Sequence, residues 1–405
     1  MNLDSLLSHP RIRAARAHLE RTDDVTLARQ AELSGLPAPT GAETRRGARV
    51  AELFREIGLR DVLIDEVGNV HGWHGTTGSR EQGTGAVILC AHLDTVFGPD
   101  IDITVRRPAG GGRLEGPGIS DNARGLVALI GVAEALAQAR VATTRPVLFA
   151  ATVGEEGSGD LRGVKHLFAR DGLRASALIA LDGAGLERIV HRALGSKRYR
   201  VTYRGPGGHS WAAFGVANPA TAVGRAAYLL ADLASPAPGA TEPRTTCAVV
   251  RLGGGTGLNS IPQAAWLDLD LRSEDAGALA QLDTAVARAL AHARDEENRR
   301  RTPGTPALTL ERQLLGDRPS GITPRAHPLV QTAIAANKAL GKPHELACAS
   351  TDANVPIALS VPAIALGAGG KSGDTHLTTE WFENSEGALG LVRALLVVAA
   401  MAEVS

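Results

Sequence analysis

Histidines and carboxylates recur where apolar runs of this 405-residue sequence end. The run AVILCAHLDTV (86–96) closes on His92 and Asp94. At ATVGEEGSGD (151–160), the apolar run FAATVG ends at two adjacent carboxylates, Glu155 and Glu156. Two like charges side by side at the end of a buried strand need compensation, and a bound cation is one way to supply it.

Five such side chains come from the ends of separate apolar runs or from the start of the intervening helix. They are His92, Asp121, Glu156, Asp182 and His376. Open parallel sheets form their sites at the carboxyl ends of the strands, so these side chains are expected to meet. Two imidazoles and three carboxylates suit zinc or a similar divalent cation, and two ions could share one carboxylate.

Each of these residues, taken alone, also has a purely structural interpretation. His92 and Asp94 point the same way along an extended chain, so Asp94 could orient the His92 ring through its second N–H. A histidine at a strand end is, however, more often a structural residue than a ligand. Asp121 in GPGISDNARG also fits the N-cap of the helix that follows it.

Apolar periodicity predicts the elements that would position this set. Short β-like runs alternate with helical stretches from the start of the chain to about residue 190, including strands at 86–96, 145–154 and 175–185. GLVALIGVAEALAQAR (125–140) repeats apolar residues at helical spacing and fits a crossover helix. The alternation predicts an α/β fold with a mostly parallel sheet.

A different pattern occupies residues 195–315. KRYRVTYRG (197–205) alternates like a half-exposed strand, and the segment predicts β-α-β-β-α with helices at 218–235 and 275–297 and a last strand at 306–312. Continuous apolar runs typical of buried strands occur again at 347–370. We therefore expect residues 195–315 to form a smaller domain inserted in a first domain made of 1–194 and 316–405.

Composition excludes several classes of partner. Lys plus Arg number 43 and Asp plus Glu number 43, which leaves no net field to attract nucleic acid or an anionic membrane. The first twenty residues lack the apolar core of a signal peptide, and no apolar stretch is long enough to span a membrane. Cys90, Cys247 and Cys348 are few and far apart, as in a reducing compartment, so the expected location is the cytoplasm.

The motifs AHLDTV, GPGISDNARG, TVGEEGSGD, LDG, GGHS, GLNSIP and GDTH, in this order, resemble those of the M20 family of dizinc metallopeptidases and amidohydrolases. That family includes peptidase T, glutamate carboxypeptidase, dipeptidases, acetylornithine deacetylase and succinyl-diaminopimelate desuccinylase. The resemblance covers roughly residues 85–380. It implies a catalytic α/β domain with an inserted smaller α+β lid that often dimerises.

The resemblance also implies a metal site. His92, Asp182 and a shared Asp121 would hold one ion, and Glu156, His376 and Asp121 the other. Zinc is the expected metal, with cobalt or manganese as alternatives. Glu155 would be the general base, and a cis peptide bond would follow Asp121. One departure, Asn-Ala-Arg after Asp121 where many relatives have Met-Lys-Gly or Asp-Lys, is expected to affect the substrate rather than the chemistry.

Substrate contacts are implied on both domains. His209 in RGPGGHSW would donate to the oxyanion, in its own site or in that of a partner subunit, although it also fits an ordinary loop histidine. Asn259 and Arg272 would bind the substrate's backbone or carboxylate, although Arg272 also fits an exposed arginine at a strand end. Asp352 and Asn354 in STDAN would line the cleft, with Asp352 facing a free α-amino group.

These features lead to three functional hypotheses. The first is a metal-dependent exopeptidase on di- or tripeptides, assembled as a homodimer through the lid. The second is an N-acyl amino acid deacylase that uses the same metals and base. The third, from a different class, is a non-catalytic relative whose lid serves binding or assembly.

Overall fold

The computed structural model describes residues 3–75, 85–108, 112–170, 173–233 and 243–404. The chain divides into two compact units, Met1–Ala193 with Ile322–Ser405 and Leu194–Gly321. The sequence placed these divisions after residues 194 and 315. The second division falls later in the structure, since the last long strand of the inserted unit continues to Arg318.

The helices are α1 (Leu3–Ser8), α2 (Pro10–Arg21), α3 (Asp23–Ser34), α4 (Thr44–Ile57), α5 (Ala123–Gln138), α6 (Arg162–Ala169), α7 (Pro219–Ala231), α8 (Ala276–Arg300), α9 (Pro328–Ala339), α10 (Asn354–Ala358) and α11 (Gly387–Ala402). The strands are β1 (Arg60–Ile64), β2 (Val70–His74), β3 (Ala86–His92), β4 (Arg113–Glu115), β5 (Val147–Thr152), β6 (Ala175–Leu181), β7 (Arg188–Ala193), β8 (Gly195–Arg204), β9 (Gly208–His209), β10 (Thr245–Gly254), β11 (Ser260–Ile261), β12 (Ala264–Ser273), β13 (Thr309–Arg318), β14 (Gly321–Ile322), β15 (Glu345–Ala349), β16 (Ala363–Leu366), β17 (Lys371–Gly373) and β18 (Trp381–Glu383).

The large sheet of the first unit has the order β1-β2-β5-β3-β6-β16-β7-β14, with β15 beside β7. Its central strands β5, β3, β6 and β16 are parallel, while β2 and β7 join them antiparallel. The expected α/β class with a mostly parallel sheet is confirmed. β3 and β5 are buried along their whole length, which explains why they are continuous apolar runs.

Helices cover both faces of this sheet. Val87 and Leu89 contribute to one core cluster, together with side chains from α1 to α5, α9 and α11. Ile88 and Cys90 alternate to the other face and join a second cluster with α6 and α10. The parallel strands are therefore enclosed, and only their ends can open to solvent.

The N-terminal segment differs from the alternation expected of it. Four helices, α1 to α4, precede the first strand. In α4 the buried residues Val50, Leu53 and Phe54 recur at helical spacing and pack into the first core cluster. The expected alternation begins only after this helical layer.

Arg124 is a structural residue, and the expectation that the Asn-Ala-Arg departure affects the substrate is wrong for this side chain. Its guanidinium is fully buried and donates to the carbonyls of Ala368 at 2.8 Å and Gly387 at 2.7 Å. Burial lowers its pKa to about 10. Arg124 therefore connects the start of α5 to the start of α11, and its guanidinium does not reach the rim of a cleft.

The inserted unit contains an antiparallel sheet of order β10-β12-β8-β13. Alternate residues of β8, namely Tyr199, Val201 and Tyr203, are buried against α7 and α8. The short strands β9 and β11 pair separately. The order β8-α7-β10-β12-α8-β13 agrees with the pattern expected from the sequence, although α7 ends at Ala231 and residues 234–235 of its expected span lie outside the described part of the chain.

In the ranges that the structure describes, we find no helix with the combination of length and apolarity that a membrane crossing needs.

Candidate metal centre

The five side chains singled out by the sequence come together in the first unit. His92 is the last residue of β3, Asp182 directly follows β6, and Glu156 lies in the loop after β5. Asp121 lies two residues before α5, and His376 lies between β17 and β18. They form two groups of three, each with ligand atoms within 4.8 Å of one another.

The first group consists of His92, Asp121 and Asp182. The Nε2 atom of His92 lies 3.0 Å from Oδ1 of Asp121 and 3.8 Å from Oδ1 of Asp182. The His92 ring is buried, so these carboxylates face it without competition from bulk water.

The second group consists of Asp121, Glu156 and His376. The Nε2 atom of His376 lies 3.1 Å from Oδ2 of Asp121 and 3.0 Å from Oε1 of Glu156. Asp121 therefore presents one carboxylate oxygen to each histidine and connects the two groups. This is the geometry that the sequence resemblance implied for a shared ligand.

The contacts within the two groups raise the pKa of both histidines. Hydrogen bonds to Asp121 and Glu156 raise the pKa of His376 to about 10. Burial opposes protonation of His92, but the carboxylates of Asp121, Asp182 and Asp94 that surround its ring outweigh burial and raise the pKa of His92 well above its usual value. Divalent cations bind deprotonated ligands, so metal binding here would release these protons.

The donor set fits divalent metal ions. Tetrahedral zinc has ligands at about 2.0–2.1 Å, which places two ligand atoms about 3.3 Å apart. The four nitrogen-to-oxygen distances in the two groups, from 3.0 to 3.8 Å, bracket that separation. Oδ1 of Asp121 is buried and, although Nε2 of His92 lies 3.0 Å away, it accepts no hydrogen bond of acceptable geometry from any residue that the structure describes. A buried carboxylate oxygen without a donor is costly unless a cation satisfies it.

Asp94 holds the His92 ring through its main-chain oxygen, whereas the sequence predicted a contact with its carboxylate. Nδ1 of His92 lies 3.0 Å from the main-chain oxygen of Asp94, whereas the Asp94 carboxylate is 3.6 Å away. That carboxylate accepts the main-chain N–H groups of Glu155 and Glu156, each at 2.9 Å, and the Thr40 hydroxyl at 2.8 Å. Burial opposes ionisation of Asp94, but its hydrogen bonds and the His92 charge lower its pKa to about 2. Asp94 thus holds the His92 ring through its backbone and the two glutamates through its side chain.

Glu155 is buried at the centre, with 5% of its surface exposed. Its carboxylate lies within 4.8 Å of ligand atoms of His92 and Glu156. Glu155 therefore lies beside two of the candidate ligands without belonging to either group that shares Asp121.

Asn122, rather than Asp121, caps α5. Its side-chain oxygen accepts the N–H groups of Gly125 at 3.0 Å and Gly183 at 3.2 Å, and its amide donates to the Leu181 carbonyl at 2.8 Å. The capping alternative for Asp121 is therefore wrong, and its carboxylate is available to the two histidines. The peptide bond between Asp121 and Asn122 is cis, as expected.

Glu380 supports the loop that carries Asp121, and sequence reasoning missed it. Its Oε1 accepts the N–H groups of Ser120 at 2.8 Å and Asp121 at 2.9 Å, and its Oε2 accepts that of Gly118 at 3.1 Å. Burial raises its pKa to about 7. Nothing in the sequence marked this residue except its position four residues after His376.

Residues 88–402 match the family model described as peptidase family M20/M25/M40. The chain belongs to this family. The match confirms the resemblance seen in the motifs and assigns the protein to the hydrolases, as a metal-dependent peptidase or amidohydrolase.

Solved structures of M20-type enzymes share the fold. The tripeptidase SAV1512 from Staphylococcus aureus is 19% identical with a TM-score of 0.74, covering 93% of this chain and 98% of its own. Aminopeptidase PepT from Bacillus cereus is 20% identical with a TM-score of 0.71 and the same coverage. The Bacillus subtilis YXEP protein, described as a dinuclear metal binding peptidase from the M20 family, is 15% identical with a TM-score of 0.66, covering 96% and 99% of the two chains. A comparison with curated protein sequences gave no significant match.

The expectation that Asp352 and Asn354 line the cleft of this M20 protein is not met by the structure. Asp352 is 3% exposed and accepts a hydrogen bond from the Thr152 hydroxyl, and burial raises its pKa to about 6. Asn354 is fully buried and accepts the N–H of Thr351 at 2.9 Å. Both side chains are buried in the segment after β15, and Oδ1 of Asp352 accepts no hydrogen bond from any described residue.

Three further expected site residues lie in the inserted unit. His209 is exposed on β9, and its Nδ1 accepts the N–H groups of Trp211 at 3.2 Å and Ala212 at 3.4 Å. Asn259 is exposed in the segment before β11. Arg272 lies on β12 and donates to the Asp270 carboxylate at 2.9 Å. The sequence-based alternative for Arg272 is an exposed arginine at a strand end; in the structure it is the penultimate residue of β12 and is half-buried.

Proposed function

We propose that this M20 protein is a two-metal exopeptidase that removes a terminal residue from di- or tripeptides. The observation that carries the proposal is the Asp121 carboxylate, whose two oxygens lie at the two histidines His92 and His376. A shared carboxylate is the arrangement by which two cations are held close enough to act on one bond.

The proposed ligands of one ion are His92, Asp121 and Asp182, and those of the other are Asp121, Glu156 and His376. Zinc is the proposed metal, because mixed imidazole and carboxylate sets suit it, although the same set also accepts cobalt and manganese. A dinuclear site in the YXEP protein supports a pair of ions.

Bound ions would polarise the scissile carbonyl and lower the pKa of water toward neutrality. The remaining steps depend on the protein's own residues. Glu155 accepts the proton of the attacking water and donates it to the departing amine nitrogen. Asp94 holds the N–H groups of Glu155 and Glu156, which keeps the Glu155 carboxylate beside the reacting atoms.

The inserted unit is proposed to complete the site. Because Nδ1 of His209 accepts two main-chain N–H groups, Nε2 carries the ring proton and is the donor proposed for the oxyanion. Asn259 and Arg272 are proposed to bind the peptide backbone or its carboxylate. His209 would act in its own site or in that of a partner chain.

We further propose a homodimer formed through the inserted unit. β10 is an edge strand of its sheet, and it exposes Val250 (54%) and Leu252 (62%). Exposed apolar edge strands favour pairing with another chain. Sedimentation velocity of the wild-type chain tests this, and a monomer at micromolar concentration would contradict it.

A cytoplasmic location is proposed from the cysteines. Cys90, Cys247 and Cys348 are free thiols, as in reducing compartments. Fractionation of the native host with antibody detection is the test, and recovery outside the cytoplasm would contradict it.

Peptide substrates are favoured by the neighbours that share the fold, an aminopeptidase and a tripeptidase. The rival is an N-acyl amino acid deacylase. A substrate panel on zinc-loaded protein separates them, with tripeptides, dipeptides, C-terminal glutamate conjugates and N-acetyl and N-succinyl amino acids side by side. We expect release of amino acids from peptides and no turnover of the N-acyl compounds. The reverse result would establish the deacylase, and no turnover in any arm would favour a non-catalytic relative.

A further inference from the structure

A cavity of about 440 Å³ in the first unit opens beside the candidate metal centre. Three of the proposed ligands, Asp121, Asp182 and His376, line it. The volume lies in the range of sites for small molecules, about 300–1,000 Å³. A substrate whose scissile bond lies at the metals would extend into this space.

Arg188 also lines this cavity. It is the first residue of β7, which runs antiparallel to β16, so it lies next to the carboxyl end of β16. The same end carries Asp182, whose N–H donates to the Leu366 carbonyl at 2.9 Å. Because β7 runs opposite to β16, Arg188 lies at the sheet edge where the proposed metal ligands lie.

The Arg188 guanidinium is exposed and makes no hydrogen bond, ion pair or ring contact with any residue in the described part of the chain. Arg200 on β8, by contrast, binds both oxygens of Asp268, at 2.7 and 2.8 Å. An arginine without a partner, in a concave surface, retains its full capacity to bind an anion.

The rest of the lining also favours an anion. Among the described residues, its acidic members are Asp121 and Asp182, and both would be neutralised by the ions they are proposed to hold. The hydroxyls of Ser372 and Thr375 add neutral donors. With the metals bound, the cavity is left with the Arg188 charge and hydroxyl groups.

We propose that this cavity is a carboxylate-binding subsite in which Arg188 pairs with the free C-terminal carboxylate of the substrate. The proposal rests on the proposed exopeptidase function and narrows it to peptides with an unblocked C-terminus. It places a determinant of specificity on the catalytic unit, in addition to Asn259 and Arg272 of the inserted unit.

The kinetic test compares tripeptides with their C-terminal amides, using zinc-loaded wild type, Arg188→Gln and Arg188→Lys. We expect wild type to prefer the free acid in kcat/KM by about tenfold or more, as expected for a charge-assisted bidentate pair. In Arg188→Gln, kcat/KM should fall for the free acid and stay unchanged for the amide, so most of the preference should be lost. Arg188→Lys should retain part of the preference. The control is Arg60→Gln, which should behave as wild type because Arg60 is an exposed arginine on β1 outside the cavity lining. An undiminished preference in Arg188→Gln would overturn the proposal.

A binding measurement keeps the test independent of turnover. Calorimetry with succinate and its neutral diamide, on zinc-loaded chains of equal zinc content, should show succinate binding weakened about tenfold or more in Arg188→Gln and unchanged in Arg60→Gln. If wild type hydrolyses no peptide yet shows this difference, the exopeptidase proposal fails and the anion subsite stands. Equal succinate affinity in all three chains would overturn the subsite.

Discussion

Glu155 and Glu156 are adjacent in sequence, but their surroundings differ. Glu156 contacts His376 at 3.0 Å and belongs to the group shared with Asp121. Glu155 lies beside His92. Both main-chain N–H groups bind the Asp94 carboxylate, so one buried anion fixes the backbone of the pair. The like charges are tolerable if the centre holds cations, and their proposed roles separate into a ligand and a base.

Replacing the proposed base should uncouple metal binding from catalysis. In Glu155→Ala we expect two metal ions per chain to remain, because the proposed ligands are untouched. Turnover should fall by about 10²- to 10⁴-fold, the usual contribution of general acid–base catalysis. Elemental analysis of the dialysed protein and steady-state kinetics on the best peptide measure the two effects.

Glu156→Ala is the matched control, since it removes a neighbouring carboxylate of equal size. It should bind one ion fewer or bind it far more weakly. Substantial turnover in Glu155→Ala, or loss of an ion from it, would refute the role of Glu155 as a base that does not bind metal.

Asn122 connects two elements at the centre. Its side chain caps α5 through Gly125 and also binds the main chain after β6 through Leu181 and Gly183. Because Asp121 precedes Asn122 and Asp182 lies between Leu181 and Gly183, this one amide sets the spacing between two proposed ligands.

Asn122→Ala should destabilise the first unit and loosen the metal site together. Loss of an N-cap costs about 0.5–2 kcal/mol, and the buried carbonyl and N–H groups left unpaired add about 1–3 kcal/mol. Urea unfolding should therefore show a loss of about 2–4 kcal/mol in the free energy of unfolding. Competition with a chromophoric chelator should show weaker zinc binding.

Asn218→Ala provides a control at another helix. Asn218 caps α7 in the inserted unit by accepting the N–H of Ala220 at 2.9 Å. Its loss should cost about 1 kcal/mol and leave zinc affinity unchanged. Equal zinc affinity in Asn122→Ala and wild type would show that the amide serves stability alone.

Across the whole molecule, the proposed metal ligands all belong to the first unit, Met1–Ala193 with Ile322–Ser405. The inserted unit has its own core around β8, β12, α7 and α8. Metal binding is therefore linked directly to the folding of one unit only.

Removing the metals should affect the two units unequally. Without cations, His92 and His376 must take up protons and the buried carboxylates lose their compensation. We expect faster amide exchange in the loops around Asp121, Glu156 and His376, and unchanged exchange in β8 and β12. A ligand at a concentration of about 1,000 times its Kd stabilises the folded state by about 4 kcal/mol. Chelation removes that stabilisation, so the thermal midpoint should fall clearly. Hydrogen exchange with mass spectrometry, before and after chelation, measures this.

Restoring zinc is the control and should recover the original exchange pattern. Equal changes in both units would show that the metals stabilise the chain globally, contrary to the linkage proposed here.

Much of the first unit could be predicted because its strands are buried on both faces. Such strands are apolar throughout, so their runs identify them locally, and the polar residues after them mark the open edge. The segment that forms β7, RIVHRA, is short and carries two arginines and a histidine, so its pattern resembles a loop. The N-terminal helices were missed because their apolar residues are diluted by charge.

Single polar residues were harder to interpret than elements. Asp352, Asn354 and Arg124 are polar in a sequence that resembles an active site, yet all three are buried and make hydrogen bonds inside the fold. Residue type reports what a side chain can do, while burial depends on which distant segment covers it.

Residue types and their order along the chain were sufficient to predict the family, the α/β class and the five side chains expected at one edge. These features depend on local periodicity and on which strand ends carry acids and histidines. Folding alone established the contacts that position those side chains. Glu380 contacts Asp121 across 259 residues, and Asp352 contacts Thr152 across 200. Arg188 lines the cavity beside the proposed metal ligands because β7 runs antiparallel to β16. Contacts between such distant residues depend on how strands pair, and no local pattern encodes that pairing.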